Sequence, residues 1–129
     1  MKRQVIIPYD KKRDEKALMK MIENEEGWDY ANEDRSETYK NALEKCISYV
    51  AYEGDILCGY SRSVYDNSFY IYVCDLLVKS PYRGQETGKK LMECIVRDYP
   101  ELTVYVMSDV DIYYEKLGYK KEGSIFEIT

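Results

Sequence analysis

Val78-Lys79-Ser80-Pro81-Tyr82-Arg83-Gly84-Gln85-Glu86-Thr87-Gly88-Lys89-Lys90-Leu91 joins two segments of different periodicity. Before it, Phe69 to Val78 is almost wholly apolar, as a central strand covered on both faces would be, and Asp75 is its one charge. After it, Leu91, Met92, Ile95 and Val96 recur at helical spacing until Pro100, which predicts a helix over 88–98. A strand, a turn with two glycines and a helix start make an anion site. The first N–H groups of the helix lack partners, glycine lets a ligand approach the main chain, and Arg83, Lys89 and Lys90 add positive charge. A sharp strand-to-helix turn alone would also use glycines. The spacing is neither that of a Walker loop nor GxGxxG.

Working outward, Leu102 to Met107 reads as another strand. Strand, helix, strand is a right-handed crossover with the two strands parallel. Ser108-Asp109-Val110-Asp111 reads as a capping box for a short helix closed by Gly118, and a last strand is expected around Ser124 to Ile128. Upstream, Gln4 to Tyr9 is a strand, and Ala17, Leu18, Met21 and Ile22 mark a helix over about 11–25. Asp34 to Glu37 has capping-box spacing and opens a helix with Tyr39, Ala42, Leu43, Cys46 and Ile47 on one face. Tyr49 to Tyr52, Ile56 to Tyr65 and Phe69 to Val78, joined by short turns, form an antiparallel meander. The expected order is β-α-α-β-β-β-α-β-α-β: an α/β chain with a central mixed sheet and helices on both faces, one domain over 1–129.

Composition narrows the chemistry. The chain has 129 residues and no histidine, which excludes a Ser–His–Asp triad, a histidine base and any histidine-ligated metal. Its net charge of −5 is the wrong sign for a phosphate-tracking nucleic-acid binder and suits a small cationic substrate better. Cys46, Cys58, Cys74 and Cys94 form no CxxC pair and sit in apolar stretches, so they read as free thiols in a reducing, cytoplasmic compartment. No metal is expected. No apolar run approaches a membrane span or a signal-peptide core. Fifteen tyrosines against two phenylalanines give apolar area with polar tips, enough to line a wet cleft as well as a core.

Strand–Val-x-x-Pro-x-Arg-Gly-x-x-x-Gly–helix, then a strand, then Tyr113-Tyr114-Glu115-Lys116-Leu117-Gly118-Tyr119, resembles the GNAT superfamily of acyl-CoA-dependent N-acetyltransferases, and the element order matches across nearly the whole chain. The resemblance implies that acetyl-CoA is the co-substrate. Its diphosphate would lie on Arg83, Gly84, Gln85, Glu86, Thr87, Gly88 and Lys89, and its pantetheine arm along the backbone of Leu76, Leu77 and Val78. A backbone N–H near Leu77 would hold the acetyl carbonyl, and Tyr114 would protonate the departing thiolate. The family pattern Arg/Gln-x-x-Gly-x-Gly/Ala is met at Arg83 and Gly88, but Glu86 stands at the first glycine. A carboxylate about 4 Å from a phosphate repels it by roughly 4 kcal/mol at a surface-like dielectric. Rotation into solvent, or pairing with Lys89 or Lys90, removes most of that. Where the family often has Asn and Ala, this chain has Met107 and Val110.

The implied reaction needs a base for the amine. Asp75 is the first candidate, because a charge in an apolar central strand needs a reason; an Asp at a bulge, or paired with Arg83 or a Lys, would serve structure instead. Trp28, Tyr30, Tyr65 and Tyr72 are candidates for an aromatic wall around an ammonium-bearing acceptor. The reading is an enzyme moving acetyl from acetyl-CoA to a primary amine of a small molecule or peptide by direct attack. Its rival is a non-catalytic CoA-sensing or protein-interaction module on the same fold, which Glu86 favours. A homodimer closing an exposed sheet edge near the short C-terminal segment is a further expectation. Neither nucleic acid nor membrane is expected as a partner.

Overall fold

The computed structural model describes residues 3–129. Strand β1 (Gln4–Pro8) leads into helix α1 (Lys11–Glu23) and helix α2 (Ser36–Lys45), followed by β2 (Ile47–Glu53), β3 (Ile56–Tyr65) and β4 (Tyr70–Val78). A single 3-10 turn (Ser80–Tyr82) precedes helix α3 (Thr87–Asp98), strand β5 (Thr103–Val106) and helix α4 (Asp111–Lys116). The sheet runs β1-β2-β3-β4-β5, antiparallel up to β4 and parallel between β4 and β5, as the crossover requires. No helix among the described residues is long and apolar enough to cross a membrane.

Two apolar layers hold the sheet. Leu18, Met21 and Ile22 of α1 with Tyr39 and Leu43 of α2 cover Val50, Leu57, Tyr60 and Leu77 on one face. Leu91, Cys94 and Ile95 of α3 cover Tyr49, Ala51, Cys58, Ile71 and Val73 on the other. Full burial of each such side chain contributes roughly 1.5–3 kcal/mol. In β4 a bulge changes which residues face each layer. Arg62 pairs with Asp75 but Ser63 with Val73, so Cys74 has no opposite residue. Side chains alternate along a strand, and one extra residue exchanges the faces. Ile71 and Val73 therefore point to α3, while Asp75 and Leu77 point to α1 and α2.

Four expectations are corrected. The strand around Ser124 to Ile128 does not form; the chain after Gly118 has no regular structure, and Ile125, Phe126 and Ile128 are 71%, 80% and 90% exposed. Strand-forming residues make a strand only where a neighbouring edge pairs with them. Helix α2 starts at Ser36, and its N-cap, Arg35, makes no side-chain cap bond, so Asp34 does not cap it. Cys46 and Ile47 lie beyond α2, where Ile47 already opens β2. The Ser108 hydroxyl bonds the Asp111 carboxylate (2.8 Å) and accepts from the Val110 N–H, so it braces the turn before α4 instead of capping its third residue.

Candidate functional site

Strand β4 outlasts its parallel neighbour. The β4–β5 register runs from Tyr70 opposite Thr103 to Val73 opposite Val106, and its last main-chain bond is Met107 N–H to the Val73 carbonyl (3.1 Å). From Asp75 to Val78, β4 pairs only with β3. The bulge at Cys74 sits where β5 departs, so one irregularity turns Asp75 to the other face and opens the edge. Unpaired main-chain groups there can take an amide-bearing ligand as an added strand.

The free edge points at the start of α3. The chain reaches it through Gly84 at φ 83° and Glu86 at φ 63°, both left-handed, the second strained for a residue with a side chain. The first helical bond is Lys90 N–H to the Glu86 carbonyl (2.9 Å), which leaves the N–H groups of Thr87, Gly88 and Lys89 ahead of the ladder. The Thr87 hydroxyl donates to Gln4 (2.6 Å), and the Gln4 amide donates to Gln85 (3.2 Å), which pins this turn to β1. A Cβ on Gly59 would stand 3.0 Å from the Leu77 carbonyl and 3.4 Å from the Thr87 methyl, so β3 must be bare there for α3 to approach. Glu86 is exposed and, among the described residues, pairs with neither Lys89 nor Lys90. Arg83 is engaged elsewhere: its Nε donates to the Val78 carbonyl (2.8 Å) and its Nη2 meets Glu25 Oε1 at 2.5 Å.

Helix α4 closes the third side. The Tyr113 hydroxyl lies against Gly88, whose buried Cα faces it, and the Leu76 side chain flanks the same point. The polar tip of Tyr113 thus reaches the turn of α3. Tyr114 stands edge-on to it, ring centres 5.0 Å apart. Burial, with smaller contributions from Tyr113, Asp109 and Tyr119, pushes the Tyr114 phenol up to about 12. It is therefore a protonated donor throughout the neutral range, and its hydroxyl bonds none of the other described residues.

Asp75 is buried and paired with Arg62 of β3, not with Arg83 or a lysine: Asp75 Oδ2 accepts from Arg62 Nε (2.6 Å) and from the Tyr39 hydroxyl (2.7 Å). Since the Tyr39 proton goes to Asp75, Tyr60 donates to Tyr39 (2.6 Å). Burial, then the neighbouring Tyr60 and Asp75, holds the Tyr39 phenol far above its ordinary range. Burial works against the Arg62 charge, but the bonds and charge of Asp75 outweigh it. Sequence reasoning missed Arg62, Tyr39 and Tyr60. The available signal was a second charge, Arg62, inside the neighbouring strand.

The four aromatic candidates do not form one wall. Trp28 and Tyr30 pack together against the α1–α2 face: Tyr30 stacks on Tyr39 at 4.2 Å and Trp28 meets Tyr60 edge-on at 6.3 Å. Tyr72 belongs to a separate ladder with Tyr70 and Tyr105. Tyr65 is exposed at the end of β3. Tyr72 lies on the same face of β4 as Asp75, but its ring packs with Tyr70 and Tyr105 and not with Trp28 or Tyr30.

Comparison with known proteins agrees with this geometry. A family model described as the GNAT acetyltransferase domain matches residues 44–121. Histone acetyltransferase TAP1 of Glycine max is 32% identical over 71 residues, which are 51% of this chain and 31% of that protein. The chloroplastic GCN5-related N-acetyltransferase 2 of Arabidopsis thaliana is likewise 32% identical over 71 residues, 51% of this chain and 28% of that protein. The chain thus spans about three tenths of the length of the curated relatives it matches. Two solved structures share the fold across almost all of both chains. An aminoglycoside acetyltransferase from an uncultured soil metagenomic sample, in complex with sisomicin, has TM-score 0.74 and 20% identity over 98% of this chain and 95% of that one. The glucosamine-6-phosphate N-acetyltransferase of Arabidopsis thaliana has TM-score 0.68 and 17% identity over 98% of each. The open edge of β4, the turn into α3 and the matched residues 44–121 together show that the chain belongs to the GNAT acetyltransferase family.

Proposed function

We propose that this chain is an N-acetyltransferase that moves an acetyl group from acetyl-CoA to a primary amine by direct attack. The observation that carries the reading is the end of the β4–β5 ladder at Val73 and Val106, directly before the free N–H groups of Thr87, Gly88 and Lys89. Those groups, with Gly84, Gln85 and the Lys89 side chain, hold the diphosphate. The edge at Leu76, Leu77 and Val78 takes the amide-bearing arm, although the Val78 carbonyl is already met by Arg83. An N–H near Leu77 steadies the oxyanion of the tetrahedral adduct. As the C–S bond breaks, the Tyr114 O–H gives its proton to the thiolate. The amine proton leaves through Asp75, whose Oδ2 is engaged by Arg62 and Tyr39 while Oδ1 makes no hydrogen bond to the described residues. The acceptor is a cation in water, in keeping with the chain's net charge of −5.

Two observations favour a second reading, a non-catalytic CoA-sensing or interaction module. Glu86 occupies the strained position before α3, and Arg83 is bound to Glu25. Calorimetric titration with acetyl-CoA, followed by a screen of amines for free-thiol release, decides between them. The enzyme reading expects binding, amine-dependent thiol release, and a fall in kcat of about a hundredfold in Tyr114→Phe with little change in acetyl-CoA affinity. Binding without thiol release for any amine supports the sensor. No heat at millimolar acetyl-CoA removes the enzyme and the CoA sensor and supports the interaction module.

A further inference from the structure

We infer that the hollow between the end of α1 and the turn after β4 binds a small zwitterion with an apolar body, an α-amino acid with an apolar side chain, and that its occupancy loosens the Arg83–Glu25 pair. Binding itself is independent of the acetyl-transfer chemistry; its effect on acetyl-CoA rests on the function proposed above.

The hollow has a volume of about 420 Å³, within the roughly 300–1,000 Å³ of small-ligand sites. Its walls differ in chemistry. Met21 of α1, Ile56 at the start of β3, and Pro81 and Tyr82 of the turn supply apolar surface, and Ile56 is 45% exposed, so the fold leaves that surface uncovered. Lys79 supplies a cation. Its main-chain N–H is held by the Cys58 carbonyl (2.8 Å), which fixes where the side chain starts. The residue is half-buried, and its ammonium makes no ion pair with the described residues. A half-buried cation without an acid favours a carboxylate from outside.

Glu25 supplies the opposite charge. Its Oε1 holds Arg83 Nη2, while its Oε2 makes no hydrogen bond to the described residues. It follows the last turn of α1, so the negative end of that helix dipole lies on the same wall. A ligand with one charge would meet one partner and face a like charge at the other: a lone carboxylate would face Glu25, and a lone ammonium would face Lys79. A zwitterion meets both, with its body on the apolar wall. An ammonium on Glu25 shares the carboxylate that now serves Arg83, which frees Arg83 for a diphosphate at the turn before α3. By linkage, the zwitterion and acetyl-CoA then tighten each other by one and the same factor. The modest worth of an exposed ion pair bounds that factor at about two- to fivefold.

The test is calorimetric titration, first without acetyl-CoA. Leucine, methionine and phenylalanine are the probes, with N-acetyl-leucine and leucinamide as analogues that each keep one charge. The amino acids are expected to bind, and each analogue about tenfold or more weaker. Lys79→Met and Glu25→Gln should each weaken leucine by about tenfold, with thermal unfolding confirming their fold. Acetyl-CoA is then titrated with and without saturating leucine. It should bind about two- to fivefold more tightly with leucine in wild type, and equally with and without it in Glu25→Gln. No heat from any of the three amino acids at about 20 millimolar overturns the site, as does equal affinity for the analogues or in Lys79→Met. Leucine binding that leaves acetyl-CoA affinity unchanged overturns the coupling. Leucine-dependent thiol release from acetyl-CoA makes leucine an acceptor and overturns the effector role. Heat from leucine but none from acetyl-CoA upholds the site and removes the acetyl-transfer reading.

Discussion

The phenol oxygen of Tyr113 stands 2.5 Å from where a Cβ on Gly88 would lie. This one contact explains a glycine in the first turn of α3, since Gly88 has an ordinary helical φ and nothing else within 3.4 Å of that point. Two effects oppose each other in Gly88→Ala. Helix propensity favours alanine by about 1 kcal/mol, whereas forcing Tyr113 and α4 aside costs about 1–3 kcal/mol. We expect the variant to be destabilised by about 1 kcal/mol in urea unfolding, within that overpacking range. In a Tyr113→Phe background the nearest atoms become a Leu76 methyl at 3.5 Å and the ring carbon at 3.6 Å, both ordinary contacts, so there Gly88→Ala should be neutral or stabilising. Equal costs in both backgrounds would show that the hydroxyl does not set the residue at 88.

Glu86 carries a cost for folding as well as for the proposed anion site. A left-handed φ of 63° costs a non-glycine residue on the order of 1 kcal/mol, and no side-chain cap bond compensates it. Glu86→Gly should therefore raise stability by a few tenths to about 1 kcal/mol, and acetyl-CoA should bind several-fold more tightly as one negative charge leaves the approach. Calorimetry and thermal unfolding on the same variant read both. Tighter binding without stabilisation would show that charge, not backbone strain, is what Glu86 imposes.

Arg83 cannot hold Glu25 and a diphosphate equally well. Glu25 follows α1 in the connection to α2, so the ion pair joins that connection to the turn before α3. Exposed ion pairs are worth about 0.2–1 kcal/mol, which bounds the expected gain. Glu25→Gln should tighten acetyl-CoA about two- to fivefold, by the same bound, and Arg83→Ala should weaken it more than that. Looser binding in Glu25→Gln would mean that the pair pre-forms the loop, not that it competes with the ligand.

The architecture was legible because its signals are local. The strand ends at Val78 and at Tyr65, the glycines at 84 and 88 and the helical spacing of Leu91 to Ile95 each act on their own neighbourhood. What escaped reading was register. The bulge at Cys74 has no signature in Tyr72-Val73-Cys74-Asp75, yet it decides that Asp75 faces Tyr39 of α2 and not α3. The partner of Arg83 was equally hidden, since Glu25 is one of several acids between α1 and α2. The last strand failed for a related reason: Ile125 to Ile128 has strand residues, but propensity does not supply an edge.

Removing the Asp75 carboxylate separates a base from a structural anchor only if the fold is watched. Arg62 is largely buried beside it, so Asp75→Asn leaves an uncompensated charge, a loss of about 3–5 kcal/mol. Replacing both partners by apolar residues of similar size, Asp75→Leu with Arg62→Met, should recover most of that loss. If the double variant is stable and still acetylates amines, Asp75 is not the base. If it is stable and inactive except at high pH, where the amine has lost its proton unaided, the base role stands.

Asp14 sets the acid limit of the fold. It is fully buried near the start of α1 and accepts from Arg13 Nε and Nη2 (both 2.8 Å), the Tyr52 hydroxyl (2.6 Å) and the Asp10 N–H (2.8 Å). Burial alone would raise its pKa; the bonds from Arg13, Tyr52 and Asp10 outweigh burial, and the net shift is downward. A carboxyl with a folded-state pKa below its unfolded value stabilises fully above the unfolded value, near 4, and its contribution fades as pH falls through the folded value. Wild-type stability should therefore hold from neutrality to about pH 4 and decline below it. Asp14→Asn removes the charge that Arg13 pairs with and one of the two acceptor oxygens that Arg13, Tyr52 and Asp10 share. It should cost about 3 kcal/mol at pH 7, at the lower end of the range for breaking a buried pair because Arg13 is half exposed, and less below pH 4 as the wild-type carboxyl takes up its proton. Urea unfolding of both proteins from pH 7 to 3 measures the difference. A gap that stays constant across that range would show that Asp14 acts by shape and packing and not by its charge.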